Sequence, residues 1–413
     1  MKYAGKPSGK KRARPVPGPA RNGRGGEPRR VLYVTDFHLD ELLRGAVDYA
    51  RTAGWELDAA MRFHGILPET EADGILAAVG GAAIGAGKRV QEWLARRAGC
   101  PVVRMIASEL DLPYPAVEVD YIAAGRLGAR HLLELGHVHY AFYFAYKHRP
   151  DIRDVREGFE AEVAAAGRQT HRLDFDAAHP GRALYHVASK ERHAWLAREL
   201  ERLPKPLAVM GDDDRRGIDL LAACELAGLR VPEDVAILGC DNRWFEQGMA
   251  RIPLSSVDVN LRGVGRAGAA LLDRLMSGGK ASAEMTKVPP LGIIARRSTA
   301  TFVTDSPGIT AAVVHLREHF REPLQLAQLA RRAGMSERAF EVEFKRQVGR
   351  NAREELLRAR LGCAARLLRD TDLKLEAIAV ESGFGSAAHL CRCFASAHDV
   401  SPIAWRQQTK GGA

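Results

Sequence analysis

The chain of 413 residues contains no run of about twenty apolar side chains, so it offers no helix able to span the roughly 30 Å hydrocarbon core of a bilayer. The N-terminal stretch is basic and lacks the apolar centre of a secretory leader, and the expectation is a protein that stays in the cytoplasm. Cysteine is scarce. Its six positions, Cys100, Cys224, Cys240, Cys363, Cys391 and Cys393, form no CxxC pair and no framework spacing, which excludes a disulfide scaffold and predicts reduced thiols. Cys391 and Cys393 invite a redox reading, but two small side chains on a helix explain them more simply. No metal-ligand spacing, nucleophile motif or cofactor fingerprint occurs, so neither a metal nor a cofactor is expected. The glycine-rich interval from Val79 to Gly87 lacks the Gly-Lys-Ser/Thr ending of a phosphate loop and is placed as a flexible cleft loop.

Acids are nearly absent from the first thirty residues, where ten Lys or Arg stand against Glu27, a net of +9. Residues 308–413 hold seventeen bases against twelve acids, a net of +5, and residues 31–307 carry thirty-four against thirty-eight, a net of −4. A mildly acidic body between two basic ends points to a polyanion as the partner of the ends. Residues 1–29 mix Lys, Arg, Pro and Gly with almost nothing apolar and cannot bury enough surface to fold, which predicts a disordered basic arm. Such an arm either adds salt-sensitive phosphate contacts or is an inert tail.

Order begins at Arg30-Val31-Leu32-Tyr33-Val34-Thr35-Asp36, a short apolar run of the buried-strand type, followed by a helical pattern through Leu42, Leu43, Ala46, Val47 and Ala50 that stops at Gly54. Strands are then placed over Trp55–Met61, Gly74–Ala77 and Pro101–Met105, with a helix over Lys88–Arg97. The alternation restarts at Ala116. Helices are expected over Ala123–Leu135 and Val155–Ala166, and strands over Tyr140–Tyr146, Leu207–Met210 and Val235–Leu238. Strands alternating with helices at this interval mean βαβ units around parallel sheets, and two lobes of similar size account for the length. Clusters of carboxylates stand at strand ends, in Asp212-Asp213-Asp214 and in Asp241-Asn242. Such ends are where open α/β sheets bind their ligands.

The last hundred residues repeat one device. Ala330, Gly334, Met335 and Phe340 have the spacing of a helix-turn-helix: a small residue where two helices cross, a residue tolerant of positive φ in the turn, and apolar residues that clamp the pair. Ile378-Ala379, Ser382-Gly383-Phe384 and Leu390 repeat it with one more residue between the turn glycine and the clamp. A long helix over Arg353–Leu368, broad in its apolar face, separates the two units.

The segments Asp120 with Gly125, Leu135-Gly136-His137, Asp213-Asp214, the stretch from Ala227 to Asn242 and Ile252-Pro253-Leu254-Ser255-Ser256-Val257 resemble the effector domain of LacI/GalR repressors over about residues 31–300. Gly334, Phe340, Phe344, Gly349, Ile378, Ala379, Gly383, Phe384, Leu390, Phe394, Ser401, Pro402 and Arg406 are similar to the AraC family pattern over the whole C-terminal domain. A sensor followed by such a reader is the order of the xylose operon regulators. The resemblance implies an α/β two-lobed periplasmic-binding-protein-like sensor, with parallel sheets and flanking helices, plus an all-α C-terminal domain with two helix-turn-helix units. It implies a small effector between the lobes, a monosaccharide such as xylose or another pentose. It also implies operator DNA at the reader, a homodimer paired through the lobes, and RNA polymerase as a further partner. The expected limits are an arm at residues 1–29, a sensor at 30–303, a linker at 304–308 and the reader at 309–408.

For the effector, the comparison points to Asp36 and His38 of the first lobe, Asp120 at the lobe junction, and Asp213, Asp214, Asp241 and Asn242 of the second. Carboxylates and amides suit the many hydroxyls of a sugar. Val155 departs from the pattern, because LacI-like sugar sensors commonly carry an arginine there, and Arg153 and Arg156 are out of register to replace it. For DNA, the exposed positions are Arg338, Ala339, Glu341, Val342, Lys345 and Arg346 in the first recognition helix. In the second they are Ser386, Ala387, Ala388, Cys391 and Arg392. Arg338 and Arg392 can each bond a guanine in the major groove, and the alanine-rich second helix is expected to specify sequence less strongly. Two readings compete with a ligand-controlled regulator. One is a glycosidase using Asp212, Asp213, Asp214 and Asp241 as acid and base, and the other is a regulator whose sensor takes a non-sugar ligand or a partner protein.

Overall fold

The computed structural model describes residues 28–410 except 37, 81–85, 98, 108–109, 111, 147, 183–186, 282–284 and 305. Residues 1–27 of the basic arm, and most of the glycine-rich loop, lie outside the described residues. Arg29 does not belong to the arm. Its guanidinium pairs with Asp273 at 2.7 Å, so the fold begins one residue earlier than composition suggests.

The first lobe is a parallel sheet of β1 (Arg30–Thr35), β2 (Glu56–Asp58), β3 (Gly74–Ala78) and β4 (Val102–Arg104) in the order β2-β1-β3-β4. Both β1 and β3 are buried along nearly their whole length, as continuous apolar runs covered on both faces require. A short β5 (Val117–Val119) leads to the second lobe, whose sheet contains β6 (His139–Phe144), β7 (Thr170–Asp174), β8 (Leu207–Gly211), β9 (Val235–Cys240) and β10 (Ser255–Asp258). After β11 (Thr286–Val288), β12 (Gly292–Ile294) adds an antiparallel edge, giving the order β12-β10-β9-β8-β6-β7.

The chain passes between the lobes three times. It leaves the first sheet through β4 and β5, returns from β10 into the helix Leu261–Met276, and crosses again from β11 to β12. That returning helix packs on the first-lobe helix Asp40–Ala53, where Arg262 pairs with Asp48 at 2.5 Å. Strands β11 and β5 pair in parallel between the sheets.

Several limits differ from the sequence pattern. The strand placed over Trp55–Met61 is only Glu56–Asp58, because Met61 turns inward to open a short helix. The helix placed over Val155–Ala166 begins at Pro150, five residues earlier, since proline is favoured at the first helical position. Thr304–Gly308 is not all linker: Ser306 caps a helix running Pro307–Glu318, so the reader starts there. The edge strand β7 and the helix Ser189–Arg202 have no counterpart in the sequence reading.

The C-terminal domain is helical: Pro307–Glu318, Leu326–Arg332, Glu337–Val348, Ala352–Asp370, Leu375–Glu381, Ala387–His398 and Pro402–Lys410. Phe302, Ile309, Leu316, Phe340 and Phe344 continue the apolar core of the sensor into the first helix-turn-helix unit. The second unit closes a separate core around Leu361, Leu368, Ile378, Phe384, Leu390 and Phe394. No described helix is long and apolar enough to cross a membrane.

Candidate functional site

Strand order reverses beside β6 in the second sheet and beside β1 in the first, and a crevice opens beyond the carboxyl ends at such a switch. The cleft is lined from the first lobe by Leu39, Ile106 and Ala107. From the second come Tyr146 after β6, Asp212 and Asp213 after β8, and Asp241 and Arg243 after β9. Tyr121 and the start of the helix Pro150–Ala165, with Arg149, Asp151, Ile152 and Val155, complete the wall.

Two residues of this wall hold the left-handed backbone, Tyr146 at φ 57° and Asp241 at 94°, and so does Asn242 behind it at 52°. Non-glycine residues adopt it at a cost, and it persists where the surroundings hold a side chain in a required direction. The cleft is also rich in opposed charge. Arg149 donates to Asp151 at 2.6 and 3.1 Å, and Arg215 lies 3.2 Å from Asp213. Arg243 bridges the lobes, donating to the His38 carbonyl at 3.0 Å while its Nε lies 3.3 Å from Glu246.

These surroundings separate the carboxyls. Burial, with Asp213 and Asp151 adding to it, pushes Asp241 up to about 7 against the pull of Arg243. Burial and the neighbouring Asp213 push Asp212 well up. Asp213 is half-buried, and against the upward push of desolvation the guanidiniums of Arg216 and Arg215 bring it down to about 2. The cleft therefore offers both hydrogen-bond donors and acceptors, as a polyhydroxylated ligand requires.

The structure brings together only part of the effector set expected from sequence. Asp213 and Asp241 line the cleft. Asp214 is fully buried beneath it, accepting from the Ser256 hydroxyl at 2.6 Å and the Arg243 amide at 2.6 Å. Asn242 is engaged with Asp258 at 3.2 Å and with Arg296 at 2.8 Å. Asp120 caps the helix Tyr121–Leu133 through the Ala123 amide, Asp36 accepts from the Gly80 amide at 2.9 Å, and His38 meets Arg243 through its carbonyl. None of these five side chains lines the cleft wall.

Sequence reasoning missed Arg149, Asp151, Tyr121, Tyr146, Arg215 and Arg243. Two signals were available: Arg149 precedes a helix-opening proline, and Arg243 follows the carboxylate cluster at a strand end. Val155 is buried and lines the wall. The cation it lacks is present six residues upstream in Arg149, whereas Arg153 is engaged with Asp154 at 3.1 Å and Arg156 lies over the Phe144 ring.

The two reading units share one turn geometry. Met335 donates to Ala330 and Phe384 to Ala379 across the turn, with Gly334 at φ 69° and Gly383 at 78°. Ser336 and Ser386 cap the two recognition helices, Glu337–Val348 and Ala387–His398. The extra residue of the second unit falls between the turn glycine and the cap, so Phe340 and Leu390 occupy the same helical position and both are buried. Arg338, Ala339, Glu341, Val342, Lys345 and Arg346 are exposed, as are Ser386, Ala388 and Arg392, while Ala387 and Cys391 are half-buried. Arg346 is bonded to Glu343 at 2.6 Å within its own helix, and the Ser386 hydroxyl serves its cap. Exposed His389, unremarked in the sequence reading, shares the second face and lies edge-on to Phe384.

Family models match twice: a periplasmic binding protein-like domain over residues 129–299 and a helix-turn-helix domain over residues 329–408. The chain is similar to the xylose operon regulatory protein of Escherichia coli strain K12, 29% identical over 211 residues that are 51% of this chain and 54% of that one. It thus spans about half the length of that curated relative. The protein of the same name in Haemophilus influenzae is 25% identical over 301 residues, 71% of this chain and 75% of that one. A solved xylose-binding transcription activator shares the fold with a TM-score of 0.56 at 23% identity, over 92% of this chain and 98% of that one.

Proposed function

We propose that this chain, which joins a periplasmic binding protein-like domain to a helix-turn-helix domain, is a transcriptional regulator whose hold on operator DNA answers to a monosaccharide in the cleft. The observation that carries the reading is the cleft itself. Arg149, Arg243, Asp213 and Asp241 converge on it from several strand and helix ends, on a chain that also presents two capped recognition helices. The relatives' names make D-xylose the first sugar to try. Arg149 supplies the guanidinium that Val155 does not, which favours a sugar over a ligand without hydroxyls. The carboxylates are read as a binding site rather than an acid and base pair, a reading supported by relatives that are named regulatory proteins.

In this reading, sugar closes the lobes and works only through its different affinity for the two arrangements. The protein acts in the cytoplasm as a homodimer paired through its lobes, with RNA polymerase as a further partner. Arg338 and Arg392 read bases, and Lys345 contacts the backbone.

The test is a thermal-shift screen with D-xylose, L-arabinose, D-ribose, D-glucose and D-galactose. It is followed by affinity measurements, with and without sugar, on a duplex selected from a random pool by the full chain. One sugar raises the melting temperature and changes DNA affinity, and Asp241→Ala removes both effects. A folded protein whose melting temperature and DNA affinity ignore every sugar turns the reading toward a non-sugar ligand or a partner protein.

A further inference from the structure

We propose that the ion pair between Asp258 and Arg369 passes closure of the cleft to the DNA-reading domain, which makes both of them positioning residues. The proposal rests on the ligand-controlled reading above.

Asp258 ends β10, where the chain leaves the second lobe for the first. Its carboxylate is a junction. One oxygen accepts from the Asn260 amide at 3.1 Å, and the other accepts from the Asn242 side chain at 3.2 Å and lies 3.2 Å from Arg369. Its carbonyl accepts from Leu291 at 2.8 Å, so Asp258 binds two of the three interlobe passages.

Each partner belongs to a different part of the molecule. Asn242 follows Asp241 at the cleft and is held by Arg296 at 2.8 Å. Asn260, left-handed at φ 65°, caps the helix Leu261–Met276, which packs on the first lobe. Arg369 stands in the last turn of the reader helix Ala352–Asp370. A ligand at Asp241 and a rotation of the first lobe therefore both act on one carboxylate.

The reader helix has a second hold on the sensor. Arg358 pairs with Glu134 at the end of the second-lobe helix Tyr121–Leu133. Residues 358 and 369 are three turns apart, which puts them on one face about 16 Å from each other. One anchor is fixed in the second lobe and the other sits at the pivot, so closure displaces one relative to the other and tilts the helix. The two helix-turn-helix units flank its two ends, and a tilt changes how both are presented. Both side chains of the Asp258 pair are only 15% exposed, so solvent screens the contact less than it would a surface pair.

Arg369→Gln removes this contact without touching the cleft or the recognition helices. The test measures affinity for D-xylose and the other panel sugars by calorimetry, and affinity for the selected duplex with and without sugar. Wild-type protein changes its DNA affinity on adding sugar by a factor in the range of about 5 to 150. Arg369→Gln keeps sugar affinity within about twofold while that factor falls toward one, and Arg369→Lys, which keeps the charge, restores most of it. A responsive wild type with an equally responsive Arg369→Gln overturns the relay and leaves the regulator reading standing. A wild type that ignores every sugar overturns both. If Arg369→Gln fails to fold, Asp258→Asn breaks the pair from the sensor side and the same factor decides.

Discussion

Arg149 and Asp241 face one cleft with opposite charge, and each has its own signature. A hydrogen bond from a charged group contributes about 1.5–3 kcal/mol. Arg149→Ala therefore raises the dissociation constant for sugar by roughly tenfold or more, read by calorimetry, while DNA affinity without sugar stays unchanged. Asp241 makes binding depend on pH. Its carboxyl rises from the ordinary range to about 7 in the folded protein, so between about pH 4 and 7 the native state holds a proton that the unfolded chain has released. This group's contribution to the stability of the ligand-free protein is full below about pH 4 and is lost as pH rises through 7. In the proposed reading sugar hydroxyls donate to the ionised form, so the affinity for sugar is expected to rise with pH through 7. Asp241→Asn flattens that rise, and a wild-type affinity that falls over the same range contradicts the assignment.

At the scale of elements, the two turns look alike in sequence but tolerate different changes. A Cβ at Gly334 meets nothing within 4 Å, whereas at Gly383 it lies 2.8 Å from the Arg321 Cα and 2.9 Å from the Phe320 carbonyl. Both glycines are left-handed, which costs an L-residue about 1–2 kcal/mol. Gly334→Ala loses about that much stability in urea unfolding, and Gly383→Ala loses more, because backbone on its far side must move. The recognition helices differ as well. Arg338 stands on a charged face and Arg392 on one rich in alanine. If each reads a base as proposed, replacing either by alanine costs about 1–3 kcal/mol of discrimination at that base. The larger loss is expected at Arg338, measured by binding to a library of single-base variants.

At the scale of the molecule, the α/β domain and the first helix-turn-helix unit share one apolar core. Val303 donates to Leu135 at 2.7 Å and Arg317 to the Thr301 carbonyl at 3.2 Å. Phe302, buried at 2% exposure, continues the core across the junction under the Arg317 guanidinium. Phe302→Ala costs about 3–5 kcal/mol and speeds hydrogen exchange in Leu326–Val348, while Leu375–His398, with its separate core, exchanges as before. Equal acceleration in both units shows instead that the reader opens as a whole.

Apolar periodicity and turn chemistry are local, and the sequence alone determined what depends on them. The buried runs Val31–Val34 and Leu207–Met210 announce parallel strands, and Gly334, Phe340, Gly383 and Leu390 announce two reading units, since each unit needs those residues within a few positions of each other. Asp213 and Asp241 were legible because strand ends gather ligands. Only the tertiary structure decided the rest. Asp214 and Asp120 carry the same carboxylate as Asp241, yet one is locked under Ser256 and the other caps a helix, and a side chain's partners depend on what the fold brings near it. Arg149 and Arg243 entered the cleft, and Arg369 reached Asp258 across 111 positions of chain, because long-range packing sets charge against charge where no spacing in the sequence records it.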